Sequence, residues 1–173
     1  MGIYKWFMRL FWNSQPELPA LEKSEPQPMI VERPVTNMFN LWINGKLNQT
    51  LIEMLLWAEV RGTLESHDDN AIGDKNLKNK AYGCMQIRQP YMSDACQYAK
   101  ISIKKAEECL GNHELSVWAV EQYMKRYVTE KRLGYKPTLE DGCRAHNSGG
   151  VAFVKYPHRT DAYWNSIAKE FDL

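Results

Sequence analysis

Two carboxylates separated by a short polar segment are the residues of this chain best suited to acid–base chemistry. Glu65 follows an apolar stretch, and Asp74 comes nine positions later, after Gly73. A pair of carboxyl groups can divide acid–base work, in which one gives a proton to a substrate atom while the other supplies negative charge or orients a water. A carboxyl group against an apolar wall keeps its proton near neutral pH, because burial disfavours its charged form. Glu65 is therefore the candidate acid and Asp74 the candidate second carboxylate. The alternatives are a solvated residue at a helix end and a turn residue.

Helices must position these carboxylates, because strand signals are poor. Thr50 and Glu53 have the spacing of a capping box, and the apolar periodicity after them predicts a helix to about Leu64. Residues 66–80 are polar and turn-rich and could hold a short hairpin. The other helices are predicted at 90–99, at 102–110, at 113–131 after an Asn112 cap, and after caps at Thr138 and Thr160.

The composition is that of one folded domain with an appended tail. The chain has 173 residues, of which 44% are hydrophobic, and a formal net charge of +1. This apolar content excludes a wholly disordered chain, and the balanced charge gives no indication of a nucleic-acid partner. We divide the chain into residues 1–40, a leader and tether, and residues 41–173, the folded domain.

The tail has two parts of different composition. Residues 1–12 are rich in large apolar side chains and carry Lys5 and Arg9. They predict either an anchor that docks on a membrane surface or a partner protein, or a segment that packs on its own domain. They do not fit a signal peptide, because charge divides the apolar run and no small-residue cleavage site follows. Residues 13–36 hold five prolines, which predicts an extended tether.

The cysteines are too few for a disulfide scaffold and occur at Cys84, Cys96, Cys109 and Cys143. They are predicted to be buried free thiols or to form one or two disulfides. Cys109 with His113, and Cys143 with His146, have helical spacing, but two ligands do not make a closed metal site. We therefore predict no metal site and no cofactor.

Three short motifs follow one another along the folded domain: Glu65-Ser66, Gly83-Cys84-Met85-Gln86-Ile87 and Ala145-His146-Asn147. They resemble the ordered motifs Glu-Ser, Gly-Leu-Met-Gln and Ala-Tyr-Asn of soluble lytic transglycosylases. The longer runs 83–91, 122–127 and 145–150, with Tyr163-Trp164-Asn165, are similar to invertebrate-type (destabilase-like) lysozymes. Several motifs in order at compatible spacing indicate a resemblance to the lysozyme superfamily over residues 50–170.

The resemblance implies a mostly α-helical, α+β lysozyme-like fold, in which a small polar lobe flanks a glycan cleft. It implies that the chain cleaves the β-1,4 bond between N-acetylmuramic acid and N-acetylglucosamine in peptidoglycan, with Glu65 as general acid and Asp74 as its partner. Amides suit N-acetyl groups, and tyrosines either stack on sugar faces or pack around the cleft. The expected substrate-binding residues are Gln86, Tyr82, Tyr91, His146 and Asn147.

Three other functions stay open at this point. Without a working Asp74, the sugar's own N-acetyl group or 6-hydroxyl attacks, and the enzyme is a lytic transglycosylase that leaves anhydro ends. A non-catalytic lysozyme-fold protein of a virus particle would dock through residues 1–36. The third is a peptidase that acts on peptide cross-links, although Ser66, its candidate nucleophile, has no base partner that a motif defines. The low cysteine count and the tail resemble a phage or bacterial protein that acts in the periplasm or cell wall, or that is carried on a virion.

Overall fold

The computed structural model describes residues 39–150 and 152–173. The predicted leader (1–12) and tether (13–36) lie outside the described residues. Helices dominate the described part of the chain, and its strands form two short antiparallel hairpins. The predicted mostly helical fold with a small hairpin lobe is therefore confirmed.

The elements follow one another in the order β1 (Trp42–Ile43), β2 (Lys46–Leu47), α1 (Gln49–Val60), β3 (Ile72–Gly73), β4 (Ala81–Tyr82), α2 (Gln89–Ala99), a 3-10 turn (Ala106–Cys109), α3 (His113–Tyr127), α4 (Glu130–Leu133), α5 (Leu139–Ser148), α6 (Ala152–Lys155), a second 3-10 turn (Pro157–Arg159) and α7 (Asp161–Glu170). In the part of the chain that the structure describes, every helix is too short or too polar to cross a lipid bilayer.

Helix α1 begins earlier and ends earlier than its sequence pattern predicts. The cap is Asn48, whose side chain accepts a hydrogen bond from the backbone N–H of Thr50 at 3.0 Å. The helix ends where Arg61 adopts a left-handed conformation, with φ 57°, and its N–H bonds back to Leu56 and Trp57. The prediction that the helix reaches Leu64 is therefore wrong, and the residues that follow Val60 form a loop.

The polar segment after α1 does contain the predicted short hairpin. Strand β3 pairs antiparallel with β4, with Ile72 opposite Tyr82 and Gly73 opposite Ala81. A further bridge between Tyr82 and Ile87 closes the turn after β4. The hairpin and this turn bring the Gln86 motif back beside the loop that follows α1.

Helices α2 and α3 pack against each other through aromatic side chains. The rings of Tyr91 and Tyr123 stack with centroids 3.7 Å apart, and the hydroxyl of Tyr127 donates to Asp94 at 2.9 Å. Helix α2 and the Asn112 cap of α3 agree with the sequence predictions. The core beneath them contains fully buried side chains such as Met92.

The helix predicted over 102–110 is reduced to a 3-10 turn. The side chain of Gln89 donates to the carbonyl of Lys104 at 2.9 Å and accepts from the N–H of Ala106 at 2.9 Å. These backbone groups bond to Gln89 rather than within a helix, so a tertiary contact overrides the local helical preference.

Helix α5 is held closely against α1 and is tied to α7. A Cβ on Gly142 would lie 2.8 Å from Leu41 and 2.9 Å from Leu51, so a larger residue would push the core apart. The predicted Thr138 cap forms a capping box with Asp141. Arg144 donates to Thr160 at 2.7 Å and pairs with Asp161 at 2.8 Å, which fixes the start of α7.

Candidate active site

Glu59 is an acidic residue on the otherwise apolar face of α1. It lies four positions after Leu55 and three after Leu56, both fully buried, so helical spacing places it on the side that faces the core. Its side chain is only 11% exposed. A carboxyl group in this position is removed from water and needs polar partners.

Two residues from the C-terminal half of the chain contact this carboxyl group. The hydroxyl of Tyr163, on α7, donates to Glu59 Oε1 at 2.8 Å. The Nε2 atom of His146, on α5, lies 3.8 Å from the same oxygen. Burial raises the pKa of Glu59 from 4.5 to about 7, and the Tyr163 hydrogen bond and the Arg88 charge partly oppose that rise. Glu59 can therefore carry a proton near neutral pH.

His146 is present in its neutral form beside Glu59. Its removal from water lowers its pKa from 6.5 to about 4, with a backbone hydrogen bond at Met85 acting in the opposite direction. Its Nδ1 lies 3.3 Å from the hydroxyl of Tyr91. Tyr91 is only 7% exposed and stacks on Tyr123. Of the two alternatives for Tyr91, its burial and its stacking on Tyr123 favour packing beside the cleft, where its hydroxyl contacts His146, over stacking on a sugar.

The second carboxylate, Asp74, belongs to the loop at the end of β3. It forms an ion pair with Arg88, whose guanidinium also donates to the carbonyl of Asn79. Arg88 is only 6% exposed and stands at the N-cap position of α2. Asp74 adopts a left-handed backbone with φ 48°. The buried Arg88 thus fixes where the Asp74 carboxylate lies and connects both sides of the hairpin loop.

The side chain of Gln86 stabilises this hairpin through hydrogen bonds to its backbone. Its side-chain amide donates to the carbonyl of Gly83 at 2.8 Å and to that of Ala71 at 3.4 Å. A Cβ on Gly73 would overlap its Oε1 atom, so any side chain at this position of β3 would displace the end of Gln86. The amide N–H₂ group predicted to bind N-acetyl groups is thus engaged by the backbone.

The carboxyl groups and their partners line one pocket. Its lining residues are Glu59, Asp74, Ala81, Gln86, Arg88, Tyr91, His146 and Asn147. Five of the seven predicted site residues therefore converge, among them Asp74 and the half-buried Asn147. Tyr82 instead lines a neighbouring pocket, together with Lys78, Gln89 and Lys105.

Glu65 does not lie in this pocket. It is exposed, in the loop that follows α1. The expectation that it ends a helix against an apolar wall is wrong, because α1 stops at Val60. Glu59, Arg88 and Tyr163 were missed as site residues. The signal for Glu59 was its helical spacing from the apolar residues of α1.

The pocket thus combines two carboxyl groups in different surroundings. Glu59 lies in a poorly solvated position that favours its protonated form, whereas Asp74 is paired with a guanidinium. Such a pair can supply a proton to one atom of a substrate and negative charge to another. A separate group of metal-ligating side chains, His67, Asp69, Cys84 and His113, lies outside the pocket lining.

The fold and the pocket define a lysozyme-like α+β protein. The crystal structure of Tapes japonica lysozyme is similar to this chain with a TM-score of 0.53 and 26% identity, over 70% of this chain and 89% of that chain. The crystal structure of Aeromonas hydrophila PliI in complex with Meretrix lusoria lysozyme gives a TM-score of 0.54 and 24% identity, over 70% of this chain and 88% of the matched chain. These likenesses confirm the lysozyme-like fold. No known protein-family model and no curated protein sequence matches the chain.

Proposed function

We propose that this protein is a glycoside hydrolase that cleaves the β-1,4 bond between N-acetylmuramic acid and N-acetylglucosamine in peptidoglycan. The observation that carries the proposal is Glu59, a largely buried carboxyl group with a pKa of about 7, in one pocket with Asp74. The lysozyme-like fold supports the choice of substrate. The bacterial cell wall is accordingly the proposed place of action.

Glu59 is the proposed general acid. Because Oε1 accepts the Tyr163 hydroxyl hydrogen, the acidic proton is carried on Oε2, which delivers it to the glycosidic oxygen. Neutral His146 lies beside Oε1 without adding a positive charge that would favour ionisation of Glu59. A general acid with a pKa near the working pH is the most effective proton donor.

Asp74 is the proposed second carboxylate. Positive charge builds at the sugar carbon as the bond breaks, and a fixed negative group nearby stabilises it, forms a covalent intermediate or orients a water. The Arg88 ion pair holds Asp74 in place for this role. Its presence in the pocket favours attack by water over attack by the sugar's own groups, and therefore hydrolysis over transglycosylation.

The test measures the rate at which variants of two glutamates of this chain cleave purified sacculi. Glu59→Gln keeps the size and the Tyr163 hydrogen bond but has no proton to donate. We expect it to lower the cleavage rate by ~100-fold or more, because a general acid contributes about 10²–10⁴ in rate. Glu65→Gln, at an exposed position, is the matched control and should cleave like the original chain.

Mass spectrometry of the released sugars separates the alternatives. Reducing ends support hydrolysis, and anhydro ends would identify a lytic transglycosylase. If Glu65→Gln is inactive and Glu59→Gln retains activity, the assignment of the acid is overturned. If the unaltered protein binds sacculi and releases no sugar, it is a non-catalytic lysozyme-fold protein and the proposal fails.

A further inference from the structure

Four side chains of metal-ligating type converge away from the pocket. His67 and Asp69 belong to the loop after α1, Cys84 follows β4, and His113 is the first residue of α3. One ligand atom from each lies within 4.8 Å of all the others. His67 Nε2 is 3.3 Å from Asp69 Oδ1, and His113 Nδ1 is 3.5 Å from Cys84 Sγ and 3.7 Å from Asp69 Oδ1.

The hydrogen bond of His67 to Thr63 directs its Nε2 atom into this group. Its Nδ1 lies 2.8 Å from the carbonyl of Thr63. A carbonyl only accepts, so Nδ1 carries a hydrogen, and Nε2 is the ring atom that faces Asp69. Asp69 Oδ1 is buried and has no hydrogen-bond partner. The 3.3 Å between His67 Nε2 and Asp69 Oδ1 leaves both atoms able to bind the same cation. A second-shell bond to a carbonyl is also how metal-binding histidines are held.

We propose that His67, Asp69, Cys84 and His113 form a tetrahedral Zn²⁺ site. Ligands at about 2.0–2.3 Å from zinc in a tetrahedron are roughly 3.3–3.7 Å apart, which agrees with the three separations above. One thiolate, two imidazoles and a carboxylate suit zinc, whereas calcium and magnesium prefer oxygen ligands alone. Four protein ligands leave no open position, so this zinc is structural.

The zinc would cross-link the loop between the two carboxylates of the pocket. In the sequence, His67 and Asp69 come after Glu59 on α1 and before Asp74 on the hairpin. Cys84 and His113 belong to the body against which that loop rests, where Gly83 N–H bonds to Ala71 and Gly111 N–H to Asp69. All four cysteines are free, so no disulfide secures this loop. The cysteine beside His113 in this group is Cys84, which is distant in sequence, and not Cys109, which has helical spacing from it.

The test measures metal directly and does not depend on activity. Full-length protein, purified without chelators and dialysed against metal-free buffer, should retain close to one zinc per chain by mass spectrometry of the metal. After zinc removal, added Co²⁺ should give the absorption of a tetrahedral site with a thiolate-to-cobalt charge-transfer band. Zinc affinity is then measured in competition with a chromogenic chelator.

Variants identify the ligands. His113→Gln should weaken zinc binding by roughly 100-fold or more, since even outer-shell partners of a metal are worth about 10–100-fold. His158→Gln, an exposed histidine elsewhere, should bind zinc like the original chain, and His67→Gln is the second ligand variant if His113→Gln fails to fold. The proposal is overturned if the original chain retains no zinc and gives no charge-transfer band, or if folded His113→Gln and His67→Gln bind zinc normally.

Discussion

At the scale of single residues, the pocket contains two carboxyl groups that are chemically similar but lie in different surroundings. Glu59 is largely removed from water, and Asp74 is paired with the buried Arg88. The hydroxyl of Tyr163 on α7 holds the carboxyl group of Glu59, and the guanidinium of Arg88 holds that of Asp74. Tyr163 is the residue that both orients Glu59 and opposes its raised pKa.

Replacement of Tyr163 by Phe should therefore shift the pH dependence of cleavage. The variant loses a hydrogen bond that lowers the pKa of Glu59, so this pKa rises above about 7. Glu59 must be protonated to act as the acid, and the alkaline limb of the pH–rate profile should move to higher pH. The profile of kcat/KM against pH measures this shift. Tyr98→Phe, at an exposed tyrosine, is the control, and an unshifted limb in Tyr163→Phe would contradict the role of Tyr163.

At the scale of elements, the hairpin of β3 and β4 decides where Asp74 lies. Gln86 braces it through the carbonyls of Gly83 and Ala71. Gly73 leaves room for the Gln86 side chain. The position of Asp74 therefore depends on a packed amide and on a residue without a side chain.

Gly73→Ala should lower activity without unfolding the protein. The added Cβ displaces only the flexible end of Gln86, so the free energy of unfolding should change by about 1 kcal/mol or less. Displacement of Gln86 shifts the hairpin and Asp74, and we expect cleavage to fall by roughly 10–100-fold. Kinetics on sacculi and urea unfolding measure the two effects. Asn76→Ala, at an exposed position in the same loop, should change neither, and full activity in Gly73→Ala would exclude the bracing role.

Local signals predicted several elements correctly and failed at two others. The Asn112 cap and the Thr138 capping position were correct, because both act within one helical turn. The helix over 102–110 was wrong, because Gln89 takes its backbone hydrogen bonds. The end of α1 was also wrong, since Arg61 adopts a left-handed conformation that its residue type does not favour.

At the scale of the whole molecule, the candidate acid reduces stability at neutral pH. The pKa of Glu59 is about 7 in the folded protein and near 4.5 when unfolded. Below pH 4.5 both states are protonated and the penalty is absent. As the pH rises from 4.5 to 7, only the unfolded state loses this proton, and the free energy of unfolding falls by about 3 kcal/mol.

Glu59→Gln should remove this loss, because the amide does not titrate. The variant's stability relative to the original chain should increase as the pH rises from about 4.5 to about 7 and then level off. Urea unfolding of both proteins at several pH values measures the difference. A stability difference that stays constant across this range would contradict the burial of the Glu59 carboxyl group.

The sequence by itself determined the fold class, the hairpin lobe and most residues of the pocket, because helical periodicity, caps and ordered motifs are carried by near neighbours. Only the tertiary structure decided which carboxyl group is removed from water. Glu59 gains its environment from Tyr163, 104 positions away, and from His146 on α5. Burial depends on every element packed around a side chain, so Glu65, which matched the motif, lies in solvent while Glu59 lies in the pocket.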